Sequence, residues 1–288
     1  MAIDRVGFIG LGAMGSRMAR NLVAGGFDLI GFDVAGTAAR LPPGATPGSS
    51  AKDLGEAADV VLLSLPDGAA SAAVTAELLQ SRPRRVRVVV DTSTIGVTAA
   101  RQIFERLRET GLGYVDAPVS GGIAGAANAT IALMFSGGVE ELERLRPVLG
   151  VISKRCFHVG TEPGQGQAMK LLNNYLSAVA LAATSEAVSF GLTQGLDLKG
   201  MLDVLNASSG QNTATSDKFP NRILPGLYDA QFRNTLMLKD LTLYGENVAA
   251  AGTSSDVSRV VLEIWRRFAA AEPDADFTRI FPFVRDER

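Results

Sequence analysis

Residues 8–22, FIGLGAMGSRMARNL, decide how this chain is read. Gly10, Gly12 and Gly15 form G-x-G-x-x-G between an apolar run, Val6–Ile9, and an amphipathic stretch, Met14–Leu22, where a strand passes into a helix. Gly10 permits a tight turn, Gly12 lets the backbone approach a pyrophosphate, and Gly15 lets the helix lie close to a sheet. Leu11, Ala13 and Met14 complete a loop whose backbone N–H groups, with the positive end of the following helix, attract phosphates. A second apolar run, Leu29–Phe32, ends in Asp33, about 20 residues on, where a carboxylate accepts hydrogen bonds from a ribose diol. The context predicts a dinucleotide site; a glycine turn without a ligand is the alternative.

The bulk properties narrow the class. The chain has 288 residues, 47% hydrophobic and 20% charged, enough for two domains with sizeable cores. Its net charge of −2 offers no basic surface for nucleic acid or a membrane. Cys156 is the one cysteine, so a disulfide framework within the chain is excluded and a reducing cytoplasm is expected. Its apolar neighbours suit a packed thiol rather than a nucleophile. The first strand begins almost at once, with no signal-peptide pattern. The longest apolar stretch, Tyr175–Leu192, is interrupted by Ser177, Ser185, Glu186 and Ser189, which suits a buried helix better than a membrane span. No metal site is expected.

Val60–Leu65 and Val86–Asp91 are continuous apolar runs, as parallel strands buried on both faces require. Further strands are expected at Asp28–Phe32, Gly113–Asp116, Ile131–Gly137 and Cys156–Val159, with helices at Met14–Ala24, Thr98–Glu109 and Glu140–Leu149. This alternation predicts a doubly wound α/β sheet over residues 1–160. Beyond Gly160 only helical patterns follow: one long interdomain helix, about 164–194, then Lys199–Leu205, Asn234–Ala251 and Asp256–Ala271, with breaks at Gly191–Gly195 and Gly210–Pro225. Residues 161–288 are expected to form an all-α domain.

Four stretches carry candidate chemistry. Leu65-Pro66-Asp67 ends one buried strand and Thr92-Ser93-Thr94 another, at the sheet edge where open α/β folds bind ligands. Each also reads as plain loop punctuation, or as hydroxyls capping a helix. Ser120-Gly121-Gly122 follows Asp116 at a strand end, and its bare backbone N–H groups suit a carboxylate or an ordinary turn. In GQGQAMKLLNN, Gly166, Lys170 and Asn174 share a helix face at i, i+4 and i+8. Gly166 clears space for a ligand. Lys170, costly to bury on an apolar helix, is expected in a polar cavity, where burial favours the neutral amine and proton exchange; the alternative is a snorkelling surface lysine.

Taken together, GFIGLGAMGSRMARNL at 7–22, DAPVSGG at 116–122, GQGQAMKLLNN at 164–174 and LKDL at 238–241 resemble the β-hydroxyacid dehydrogenases, over nearly the whole chain. The resemblance implies a Rossmann-type domain followed by a helical one, with the substrate cleft at their junction. It implies hydride transfer between NAD, or NADP, and a small β-hydroxy acid or semialdehyde of the 3-hydroxyisobutyrate or 2-hydroxy-3-oxopropionate type. Lys170 then matches the catalytic lysine, Asn174 the substrate-orienting asparagine, Ser120, Gly121 and Gly122 the carboxylate turn, and Lys239 the lysine lent to the nicotinamide end. Read alone, Lys239-Asp240 is an exposed charge pair. Leu65, Pro66 and Thr94 join Gly10–Gly15 and Asp33 as cofactor contacts, with Asp33 favouring NAD and Arg40 lying well past the turn. The resemblance also implies a homodimer or homotetramer built through the helical domain. An imine reductase or a non-catalytic cofactor-binding module are the rival readings; Lys170 argues against the first, and the joint retention of Ser120, Lys170, Asn174 and Lys239 against the second. The chain departs from the family at Ala129-Thr130, where Gly-Thr is common, and at Ser209–Thr213, where an aromatic is common, implying a smaller, more polar wall near Ile123, Asn212, Thr213 and Lys218. His158 reads as structural.

Overall fold

The computed structural model describes residues 3–286. Strand β1 (Arg5–Ile9) passes through the glycine loop into α1 (Gly15–Ala24), followed by β2 (Asp28–Phe32), the short β3 (Thr46–Pro47), α2 (Ala51–Ala57), β4 (Val60–Leu63), α3 (Gly68–Leu78) and β5 (Val88–Asp91). Then come α4 (Val97–Arg108), β6 (Gly113–Asp116), β7 (Val119–Ser120), α5 (Gly122–Ala127), β8 (Ala132–Ser136), α6 (Val139–Ile152) and β9 (Arg155–Gly160). The strands form one sheet in the order β3-β2-β1-β4-β5-β6-β8-β7, with β9 added to β8. Pairing from β3 through β6 is parallel, and β8 runs antiparallel to β6 and β7. The chain winds outward one way from β1 to β3 and the other way from β4 to β6, so the carboxyl end of β1 opens at the point where strand order reverses.

Alternate strand residues feed two cores. Phe8, Leu62, Val90 and Val115 pack with Met18 and Leu22 of α1 and Leu145 of α6. Ile9, Val61, Leu63 and Val89 pack with Leu54, Leu78, Ile103 and Leu107 from α2, α3 and α4. Helices on both faces explain the unbroken apolar runs of β4 and β5.

Helices α2 and α3 carry little periodic signal. α2 is seven residues long and contains Gly55; Ser50 starts it by accepting the Asp53 N–H at 3.1 Å. α3, GAASAAVTAEL, has small residues all round and no apolar stripe. Asp67 caps it, accepting the Ala70 N–H at 2.9 Å, so the turn after Pro66 is a helix start.

The chain divides into two compact units between Lys170 and Leu171. The division falls inside α7 (Gln165–Thr193) rather than at Gly160, because the first turn of α7 is hydrogen-bonded to strand ends of the first unit. The second unit continues with α8 (Leu198–Asn206), a π-helical segment (Ala214–Ile223), α9 (Asn234–Ala251), α10 (Asp256–Ala271), a 3-10 turn (Phe277–Arg279) and α11 (Ile280–Asp286), with no strand among the described residues. Its core gathers Trp265, Phe268, Phe219, Phe277 and Phe281 around Ala178 and Leu181 of α7. By length and composition α7 is apolar enough to cross a membrane, yet Ala178, Leu181, Ala182 and Val188 belong to this core.

The expected break at Gly210–Pro225 is largely helical. Its buried residues, Ala214, Thr215, Phe219 and Ile223, recur at four to five positions, and Leu224 N–H bonds Phe219 O at 2.8 Å. Thr215, Phe219 and Ile223 keep a helix-like spacing, but Pro220 inside the segment and Gly210 before it read as loop punctuation.

Candidate active site

The three glycines have separable roles. Gly10 lies at φ +91°, and a Cβ there would fall 2.3 Å from Ser64 O. A Cβ on Gly15 would fall 1.9 Å from Gly10 O, while one on Gly12 would meet no atom within 4 Å. Gly10 and Gly15 are therefore required by the fold, and Gly12 faces open space, as a pyrophosphate at the start of α1 requires. A cavity of about 350 Å³ adjoins the loop, lined among others by Leu11, Gly12, Ala13, Ser16, Arg20 and Arg40. The cradle fits a dinucleotide.

Asp33 ends β2 with its side chain 8% exposed. Its Oδ2 accepts the Leu11 N–H at 2.7 Å and its Oδ1 the Ala35 N–H at 2.8 Å, which ties the glycine loop to the second strand. Arg40 is not remote, as its place in the sequence suggests: the intervening loop folds back and sets its Nη1 3.6 Å from Asp33 Oδ2.

The next strand ends interlock. Leu65 N–H donates to Ser93 Oγ at 2.8 Å, and Thr92 Oγ1 donates to Leu63 O at 2.6 Å. These hydroxyls do not cap α4, which starts at Gly96 without a side-chain cap. Pro66 and Thr94 sit in these two loops. Ser120 closes β7, Gly121 lies at φ +136° and Gly122 at φ +64°, and α5 begins there. A Cβ on Gly122 would meet nothing within 4 Å, so this turn also presents backbone to open space.

Two buried polar groups escaped the sequence reading. Asp116 Oδ1 accepts from Ser136 Oγ at 2.6 Å and Gly164 N–H at 2.9 Å, and its Oδ2 accepts the Gln167 N–H at 2.9 Å. Burial pushes the Asp116 carboxyl up despite these hydrogen bonds. Gln167, fully buried, accepts N–H groups of Ile95 and Gly96 at 2.9 and 3.2 Å and donates to Ser93 O at 3.0 Å. The signal available in the sequence was a glutamine one turn before the lysine. Gly166 does not clear space for a ligand: a Cβ there would lie 2.6 Å from Met134 O and 2.8 Å from Asp116 Oδ2, so its missing side chain lets α7 seat on the strand ends. Lys170 follows with only 8% exposure, which excludes the snorkelling surface lysine.

In the second unit, Asn174 of α7 is buried, and its Nδ2 donates to Asp240 Oδ2 at 2.6 Å. Asp240 Oδ1 lies 3.2 Å from Lys239 Nζ. Lys239-Asp240 is thus no exposed pair: Asp240 is 4% exposed and joins Asn174 to Lys239. A Lys-Asp dipeptide carries no sign of this, because α9 alone does not reveal which of the two faces inward. Asn212 contributes less to a polar wall than expected, since its Oδ1 accepts the Ala214 and Thr215 N–H groups and starts the π-helical segment. Lys218 pairs with Asp217.

The remaining singular residues are structural. His158 Nε2 donates to Gly137 O at 2.8 Å, and burial pushes the Cys156 thiol up. Ala129 takes φ +54°, a left-handed conformation that glycine adopts more easily. Among the described residues no cluster of His, Cys, Asp and Glu is placed to hold a metal ion.

Comparison with known proteins agrees with this geometry. Residues 5–160 match the family described as the NAD binding domain of 6-phosphogluconate dehydrogenase, and residues 164–284 the NAD-binding domain of NADP-dependent 3-hydroxyisobutyrate dehydrogenase. The chain is 37% identical to an NAD-dependent L-serine dehydrogenase of Pseudomonas aeruginosa, over 92% of each chain. It is 35% identical to a probable 3-hydroxyisobutyrate dehydrogenase of Mycobacterium tuberculosis, over 97% of each chain. A solved Mycobacterium tuberculosis 3-hydroxyisobutyrate dehydrogenase with L-serine superposes with a TM-score of 0.90 at 34% identity, covering 99% of this chain and 100% of that one.

Proposed function

This chain belongs to the β-hydroxyacid dehydrogenase family, and from that premise we propose a division of labour among its residues. It is an NAD(P)-dependent oxidoreductase of small β-hydroxy acids. When bound, a nicotinamide dinucleotide supplies the hydride acceptor or donor. Gly10–Gly15 hold its pyrophosphate and Asp33 its ribose. Leu65, Pro66 and Thr94 line its path along the strand ends. Ser120, Gly121 and Gly122 receive the substrate carboxylate. Lys170 takes the hydroxyl proton during oxidation and returns it during reduction. Asn174, four residues further along α7, hydrogen-bonds the substrate and is itself oriented by Asp240, which also holds Lys239.

The carrying observation is the burial of Lys170 one turn into a helix seated on the carboxyl ends of the parallel strands. The named relatives make 3-hydroxyisobutyrate and L-serine the first substrates to try. The test is turnover with NAD⁺ across a panel of 3-hydroxy acids. Lys170→Ala should keep cofactor affinity and lose more than about nine-tenths of kcat, since proton transfer contributes roughly 10²–10⁴-fold. Turnover by Lys170→Ala at the wild-type rate would overturn the assignment.

We also propose a cytoplasmic homo-oligomer assembled through the second unit. Leu176, Phe190, Val204, Val257 and Val260 leave that unit with large exposed apolar side chains, and closed homo-oligomers are the usual way to cover such surface. Light scattering should give a multiple of 30.2 kDa; the mass of one chain would refute it.

A further inference from the structure

We propose that Gln167 and Asp116 are positioning residues for Lys170, holding the first turn of α7 in register with the loop that follows β5. The inference rests on the reading of Lys170 as the proton-transfer group.

A helix start needs a cap, and Asp116 provides one by taking the Gln167 N–H at 2.9 Å. The structure goes further. Asp116 also takes the Gly164 N–H at 2.9 Å, so one carboxylate grips both the residue before α7 and a residue in its first turn. Gln167 then commits its whole carboxamide to another segment: Oε1 to Ile95 and Gly96, Nε2 to Ser93. That loop contains Thr94 and, through Ser93, receives the Leu65 N–H from the neighbouring strand end. Gly166 removes the remaining freedom, because its Cα sits against Met134 O and Asp116, with no room for a side chain. The turn is thus held at three places: by Asp116, by the Ser93–Gly96 loop and by the close seat at Gly166.

Lys170 is three residues beyond Gln167 and four beyond Gly166, on the same side of the helix. A lysine has a long stem, so fixing the backbone that carries it fixes the point from which its amine reaches. The bonded loop is the one assigned to the cofactor's path, so the clamp sets the proton-transfer group relative to the place where hydride is exchanged. Misplacement of a reacting group by about 1 Å costs on the order of 10²-fold in rate.

The experiment compares wild type, Gln167→Leu, Gln167→Glu and Lys170→Ala with NAD⁺ and the best acid from the panel. Gln167→Leu keeps the volume and removes the three hydrogen bonds. Its kcat should fall on the order of 10²-fold. Gln167→Glu is the conservative rescue. Its neutral carboxyl has the donor and acceptor of the amide, whereas its ionised form loses the donor toward Ser93 O. The new group would be fully buried beside the Asp116 carboxylate that holds the Gln167 N–H, and burial and that like charge favour its neutral form against the pull of the Ile95 and Gly96 N–H groups. Activity relative to wild type at each pH should therefore be highest at the acid end and fall as pH rises, while Gln167→Leu stays low throughout. A purely structural role would lower the melting temperature and leave that ratio flat. If Gln167→Leu does not fold, the Gln167→Glu profile decides alone. Wild-type kcat in Gln167→Leu, or a flat Gln167→Glu profile, beside an inactive Lys170→Ala would overturn the positioning role and spare the lysine. An active Lys170→Ala would overturn the lysine assignment and this inference with it.

Discussion

Alanine at Gly12 and alanine at Gly15 should fail in opposite ways, although the two positions are three residues apart in one motif. At Gly12 the added methyl meets no protein atom within 4 Å, so folding gains nothing unfavourable. Replacing a glycine outside the left-handed region typically stabilises by about 0.4–1 kcal/mol through the unfolded chain. The methyl does occupy the space where backbone and pyrophosphate meet. Losing one charge-assisted hydrogen bond costs about 1.5–3 kcal/mol, which weakens NADH binding by about 10- to 150-fold. At Gly15 the methyl would lie 1.9 Å from Gly10 O. Restoring ordinary contact moves α1 or the loop by about 1.5 Å, and Gly10 cannot retreat: its N–H is bonded to Phe32 O at 2.9 Å, and Ser64 O closes its other side. Overpacking of this kind costs about 1–3 kcal/mol, or about 2–12 °C in melting temperature for a unit of this size. The assays are NADH fluorescence titration and thermal melting of both variants beside wild type. Wild-type NADH affinity in Gly12→Ala, or a wild-type melting temperature in Gly15→Ala, would refute the separation of roles.

Other outcomes follow from the same geometry. Asp240→Ala removes the acceptor of the Asn174 amide and the partner of Lys239, so kcat/KM should fall by at least about 10- to 150-fold, the worth of one charge-assisted hydrogen bond; an unchanged kcat/KM in steady-state kinetics would contradict the link. Wild type should prefer NAD⁺ to NADP⁺, because the Asp33 carboxylate repels a 2′-phosphate. Asp33→Ala, which leaves Arg40 without that partner, should narrow the ratio of kcat/KM values by about tenfold or more, one like-charge contact. A higher wild-type kcat/KM with NADP⁺ would sink the argument.

The legible parts of this protein are those where local chemistry and tertiary role coincide. A strand buried on both faces must be apolar throughout, so β4 and β5 announced themselves, and the G-x-G-x-x-G loop combines three backbone demands that only glycine meets. Helices α9 and α10 matched their apolar pattern at both ends, Asn234–Ala251 and Asp256–Ala271. The alanine-rich α3 and the π-helical Ala214–Ile223 did not, because one lacks a stripe and the other carries Pro220 within its span. For the candidate site, the sequence determined which residue types occur at which spacing: the glycine loop, Asp33, Ser120–Gly122, Lys170, Asn174 and Lys239. It misjudged Gly166, whose empty side is filled by Asp116 and Met134, and it passed over Gln167 and Asp240 as ordinary polar residues. Only the tertiary structure decided which of these polar groups are buried and what they hold, because burial and hydrogen-bond partnership join segments such as Ser93 and Gln167, or Asn174 and Asp240, that lie scores of residues apart and carry no mark of each other in the chain.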